Sequence, residues 1–134
     1  MRKVWIAWVV LSLLLIASGW QAIAAGRLAD PDDIMRLVQV RDLLGGQGWF
    51  DTTQYRLAPL PDGSGGVPMH WSRLVDLPLM IVIGSLTPIV GAPLAEMIAL
   101  IAIPLLTLLV VLIFVGRLSA RLFDLETAGW TCLV

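Results

Sequence analysis

Two stretches without a charged side chain, Val4 to Gly26 and Met97 to Gly116, restrict what this chain can become more than any other feature. At about 1.5 Å of rise per residue, either can cover the roughly 30 Å hydrocarbon core of a bilayer as a helix. Charged residues make up 14% of the chain and hydrophobic ones 58%. Ordinary soluble domains carry roughly 25% charge, so the composition argues against a soluble globular fold. Arg2 and Lys3 precede the first stretch and place the N-terminus in the cytosol, and Trp5, Trp8 and Trp20 suit the two interfacial belts. A cleaved signal peptide would share the basic start, the apolar core and a small-residue site at Ala22-Ile23-Ala24-Ala25. Its apolar region would be unusually long, and Trp20 and Gln21 fit poorly ahead of a cleavage site, which favours an uncleaved helix. Arg117 and Arg121 follow the second stretch and mark a cytosolic exit. Pro104 inside it is tolerated where a neighbouring helix satisfies the freed carbonyl.

A third apolar stretch, Leu77 to Ala95, is broken by Pro78, Gly84, Pro88, Gly91 and Pro93. If it spans, Arg117 and Arg121 fall outside, against the charge bias; if it lies along the interface, both basic ends are cytosolic. The second arrangement is the expectation. It is an all-α membrane protein with a first transmembrane helix over 1–26, an outer loop over 27–92, a second transmembrane helix over 93–116 and a cytosolic tail over 117–134. Juxtamembrane helices are expected near 32–45 and 74–90. The protein would be integral to the inner (cytoplasmic) membrane, with loop 27–92 periplasmic or extracellular. That loop carries five Arg and seven Asp, which supports neither a nucleic-acid surface nor an acidic tail.

The loop opens on Asp30-Pro31-Asp32-Asp33. Asp30 suits an N-cap, Pro31 the first helical position, and Gly45-Gly46 a helix end. The spacing predicts an amphipathic helix with Ile34, Leu37, Val38, Val40 and Leu44 on one side and Asp33, Arg36 and Gln39 turned away. Asp32 and Asp33 in the first turn favour the helix dipole, and Asp32 with Arg36 has the spacing of a helix-surface pair. These roles account for the acids without catalysis. A polar stretch runs through Tyr55 and Arg56, and from Pro59 to Gly66 the turn chemistry predicts an exposed loop. His70 is the only histidine, too little for a zinc site, and Cys132 is the only cysteine, so no disulfide or thiol chemistry has a partner. No phosphate-binding glycine loop is present, since Gly63 to Gly66 does not open a helix.

The order of these elements carries a resemblance. A basic start, one span, an acidic pair opening an interfacial helix, the turn Gly48-Trp49-Phe50-Asp51, a polar loop, then Pro68-Met69-His70-Trp71-Ser72-Arg73-Leu74-Val75-Asp76 and an Arg-ended span follow one another. Over residues 1–123 this resembles the N-terminal part of C-type glycosyltransferases, membrane enzymes that use polyprenyl-phosphate-linked sugars. Protein mannosyltransferases, aminoarabinose transferases and oligosaccharyltransferase-like enzymes are members. Ser72-Arg73 stands where the last group has two prolines, so the match is to the family and not to that subfamily.

The resemblance implies transfer of a sugar from a polyprenyl-phosphate donor on the outer face of the membrane. Asp32, then Asp33, would be the catalytic base, because a carboxylate beside an apolar surface is a base of tunable strength. Arg36, Arg41, His70 and Arg73 would bind the donor phosphate, for which a guanidinium has matching geometry. It leaves a divalent metal open, and no residue set here specifies one. Members of the family have many more spans, so the chain is expected to be the opening of a longer enzyme, inactive alone, whose remaining transmembrane segments complete the donor site. The alternative is a small non-enzymatic membrane subunit or anchor whose loop binds a partner and whose acids only cap a helix.

Overall fold

The computed structural model describes residues 2–26, 30–62 and 65–123. In chain order these form α1 (Arg2–Ala24), α2 (Pro31–Leu44), β1 (Thr53–Pro59), β2 (Gly65–Pro68), a 3₁₀ turn (Arg73–Val75), α3 (Leu77–Val90) and α4 (Ala92–Leu122). Two compact units result, one of Met1–Arg27 with Leu100–Val134, the other of Leu28–Ala99.

The first unit pairs α1 with the later part of α4. Val4, Ala7 and Leu112 are its buried centre, and Trp8, Leu108 and Ile113 pack around them. The Trp8 indole Nε1 donates to the Leu105 carbonyl at 2.7 Å, one residue beyond Pro104. Pro104 has no N–H, so the carbonyl one turn earlier loses its helical donor. Elsewhere the apolar surface is bare, with Leu13, Leu14, Val110 and Phe114 all exposed. Only 11% of the apolar window in either helix is buried, whereas a helix in the core of a soluble protein buries most of its surface. The chain is therefore mostly helical with two helices long and apolar enough to cross a membrane. α4 has 31 residues and is roughly 46 Å long. The expected span 93–116 lies inside it, and the helix runs on past Arg117 to Leu122. Residues 124–134, with Cys132 and most of the expected tail, lie outside the described residues.

In the second unit α2 packs on α3. Leu37 and Val40 of α2 and Leu79 and Ile83 of α3 are buried, as are Ala95 and Ala99 at the start of α4. Leu44 of α2 reaches over Gly84, where a Cβ would lie at an ordinary contact distance of 3.4 Å from its Cδ2. The amphipathic reading of α2 needs correction: Gln39 is buried, while Ile34 and Leu44 are substantially exposed. α2 is covered on a second side, where the 3₁₀ turn and β1 bond to it, so its polar face is closed at Gln39 and open at Asp33.

The fold class also needs correction. Alongside the helices stands an antiparallel hairpin, with Thr53 opposite Pro68, Gln54 opposite Val67 and Pro59 opposite Gly65, and an irregularity between the last two pairs; its connection falls in the expected exposed loop, where Leu60, Pro61 and Asp62 are exposed. Ala58 sits at φ 47 in that irregular part. The buried residue of β1 is Gln54, a polar one, so no alternation of apolar residues announces the strand.

The third apolar stretch becomes two elements. Gly91, at φ 82, ends α3, and α4 begins at the next residue. α3 has 14 residues, about 21 Å, short of the roughly 30 Å core.

Candidate functional site

The first turn of α2 is built as its sequence requires. Asp30 is extended at φ −116, ψ 132, and its Oδ1 accepts from the Asp32 N–H at 2.9 Å, while Pro31 opens the helix where a missing N–H costs nothing. Asp32 and Asp33 follow, both exposed. Among the described residues no group of three or more His, Cys, Asp or Glu could hold a metal ion.

Arg36 lies one turn on. It does not pair with Asp32, as the helix spacing suggested, but donates from Nη1 to Asp76 Oδ1 at 3.1 Å. Its guanidinium also lies 5.2 Å from the centre of the Trp71 ring, a cation–π distance, and His70 meets the same ring edge-on at 5.5 Å. Trp71 thus gathers two of the expected donor-binding residues.

Arg73 is almost wholly buried, 4% exposed. Nη1 donates to the Gln39 carbonyl at 3.1 Å, and Nη2 to Gln47 Oε1 at 2.9 Å and to the Asp51 carbonyl at 2.6 Å. Nη1 also lies 4.0 Å from Asp76 Oδ2. Nε has no partner among the described residues. Asp76 is 1% exposed, and burial pushes its carboxyl above the ordinary carboxylate range, against the pull of Arg36 and Arg73.

Arg41 stands apart, its Nε and Nη2 each 2.6 Å from a carboxylate oxygen of Glu96; that hydrogen-bonded carboxylate raises its pKa further. It borders an open cavity of about 450 Å³ lined also by Asp42, Gly45, Gln47, Tyr55 and Arg56. There Arg56 donates to Asp42 at 2.6 Å and Gln54 to the same oxygen at 3.2 Å. The Arg56 hydrogen bond holds the Asp42 carboxyl below its usual range. Asp51 is lowered as well, first by the Thr53 backbone N–H and then by side chains including Tyr55.

The expected site residues therefore divide. Arg36, His70 and Arg73 meet around Trp71 and Asp76; Asp32 and Asp33 stand one turn from Arg36; Arg41 serves the other end of α2. Sequence reasoning missed Asp76, Gln39, Gln47 and Gln54. The i,i+3 spacing of Arg73 and Asp76 was a signal for the first, and nothing in the sequence marked the glutamines. Comparison of the chain with protein-family profiles, characterised proteins and solved structures finds no match.

Proposed function

We propose that the chain is the N-terminal part of a membrane glycosyltransferase that moves a sugar from a polyprenyl-phosphate donor to an acceptor on the outer face of the membrane. In this reading α1 and α4 span the inner membrane and residues 27–92 face outward, with α2 and α3 at the lipid interface. The observation that carries it is the first turn of α2. Two exposed carboxylates begin a helix six residues after one long enough to cross a bilayer, and an arginine stands one turn away.

The chemistry follows from that arrangement. Asp32 takes the acceptor proton as the acceptor oxygen or nitrogen attacks the anomeric carbon; the bond from that carbon to the phosphate oxygen breaks, and polyprenyl phosphate leaves with the electron pair. Asp33 is the neighbouring second carboxylate. The helix rise selects among the arginines for the departing phosphate. Arg36 is about 6 Å from Asp32 along the axis, whereas Arg41 is about 14 Å away. Arg73 acts from the buried side. Arg36 spends one nitrogen on Asp76 and keeps 26% of its side chain exposed, and His70 supports the phosphate across Trp71.

A second reading, a non-enzymatic membrane subunit, draws on one observation: Arg36, Arg41 and Arg73 all have protein partners, so the unit is electrostatically complete without a ligand. Asp32→Asn in the full-length protein separates the two. Membranes carrying it are supplied with labelled lipid-linked sugars extracted from the source cells. The expected result is a fall in transfer of about a hundred-fold or more, with donor accumulating; unchanged transfer removes the base assignment and favours the subunit.

A further inference from the structure

The segment Trp71 to Asp76 contains two buried charges that no step of the proposed chemistry uses directly. Arg73 joins three separate segments: α2 through the Gln39 carbonyl, the link after α2 through Gln47, and the approach to β1 through the Asp51 carbonyl. A guanidinium offers five donors in a fixed fork, so it can hold three acceptors in one plane where a lysine could not. Gln47 continues the connection, since its Nε2 donates to the Thr53 carbonyl at 2.7 Å.

Asp76 occupies the N-cap of α3, yet its side chain makes no capping bond. An aspartate there ordinarily accepts from the N–H of the second or third helical residue, worth about 1 kcal/mol. Here Pro78 is the second residue and has no N–H to give, and Asp76 itself is helical at φ −81, ψ −21 rather than extended as a capping residue is. The carboxylate goes across to Arg36 on α2 instead. Ser72 shapes the turn between the two charges, its Oγ accepting from the Leu74 N–H at 3.2 Å.

Burying ions in this way is a poor route to stability, because desolvation offsets much of the attraction. It does fix geometry, since an arginine and a carboxylate at 3.1 Å have few alternative arrangements. Arg36 follows Asp32 by four residues and Asp33 by three, so the three project from one turn of the α2 backbone, which holding Arg36 helps to fix.

We propose that Arg73 and Asp76 are positioning residues: by holding Arg36 and the α2 backbone from the buried side, they set the orientation in which Arg36 meets the donor phosphate and Asp32 and Asp33 meet the acceptor. The catalytic part of this proposal rests on the glycosyltransferase reading, while the clamp itself does not.

The experiment is run on the full-length protein in detergent with Asp76→Ala, which removes the acceptor, and Asp76→Asn, which keeps an acceptor without the charge. Hydrogen exchange of the amides of Ile34 to Leu37 is expected to quicken about ten-fold or more in Asp76→Ala, with α1 unaffected, and less in Asp76→Asn. Unchanged exchange in α2 overturns the clamp. With extracted lipid-linked sugar as donor, kcat per folded molecule is expected to fall ten-fold or more in Asp76→Ala at nearly constant KM, with partial rescue in Asp76→Asn. An unchanged kcat overturns the positioning role, and so does loss of folded protein with kcat intact. If Asp76→Ala does not fold, Arg36→Met breaks the same contact from its more exposed partner and the exchange result decides. Transfer that is insensitive to Asp32→Asn refutes the enzymatic reading separately, with the exchange result standing on its own.

Discussion

Asp42 and Asp76 each face arginine, and their surroundings move them in opposite directions. Asp42 retains some solvent and is lowered chiefly by its hydrogen bond from Arg56. Asp76 is closed off and raised chiefly by desolvation. The consequences for stability are opposite in sign. Asp42 contributes stability above its unfolded pKa and loses it as pH falls through its lowered folded value. Asp76 contributes below its unfolded pKa and loses it as pH rises through its raised one. In Asp42→Asn the drop in melting temperature from about pH 4 to about pH 2 should be shallower than in the parent, because the proton uptake that drives it is gone. An equally steep drop, followed by circular dichroism in detergent, would contradict the assignment. At this scale the sequence made the cap at Asp30 legible, since a short acceptor before Pro31 meets a purely local requirement. The hydrogen-bond partners of Arg36 and Arg73 were not legible, because they lie 22 to 40 residues away along the chain.

Among the elements, the long helices were readable and the hairpin was not. A charge-free run of helical length leaves its backbone one way to satisfy itself in an apolar setting, so α1 and α4 follow from composition. The hairpin buries little, and its register depends on glycines. Gly66 sits at φ 106, where a Cβ would lie 2.7 Å from Thr53 Cγ2 and 3.1 Å from Tyr55 Cα. Gly66→Ala meets both the strained φ and the contact, so it is expected to cost more than about 1 kcal/mol. The effect should be confined to the unit of Leu28–Ala99: faster proteolysis between β1 and β2, with exchange in α1 unchanged. Protease resistance equal to that of the parent would show that the hairpin does not require this glycine. Gly91 has a related task, since its positive φ converts one apolar stretch into α3 and α4. The Pro and Gly content of that stretch already suggested a break, although not its position.

For the whole molecule, the proposed topology has both basic ends in the cytosol and residues 27–92 outside. Arg117 and Leu60 are exposed on the protein, so cysteines there report which side each faces. In a Cys132→Ser background, Leu60→Cys should react with a membrane-impermeant maleimide in spheroplasts, and Arg117→Cys only after permeabilisation. Labelling of Arg117→Cys in intact spheroplasts would invert the arrangement. The sequence by itself determined where apolar helices run, where α2 starts, and that Asp32 and Asp33 share its first turn, because each depends on residues adjacent in the chain. Only the tertiary structure decided that Arg36 turns to Asp76 rather than Asp32, that Arg73 is buried, and that the residues on either side of a turn-rich stretch pair as strands. Those outcomes depend on which distant acceptor reaches a donor first, a question of packing that no local pattern encodes.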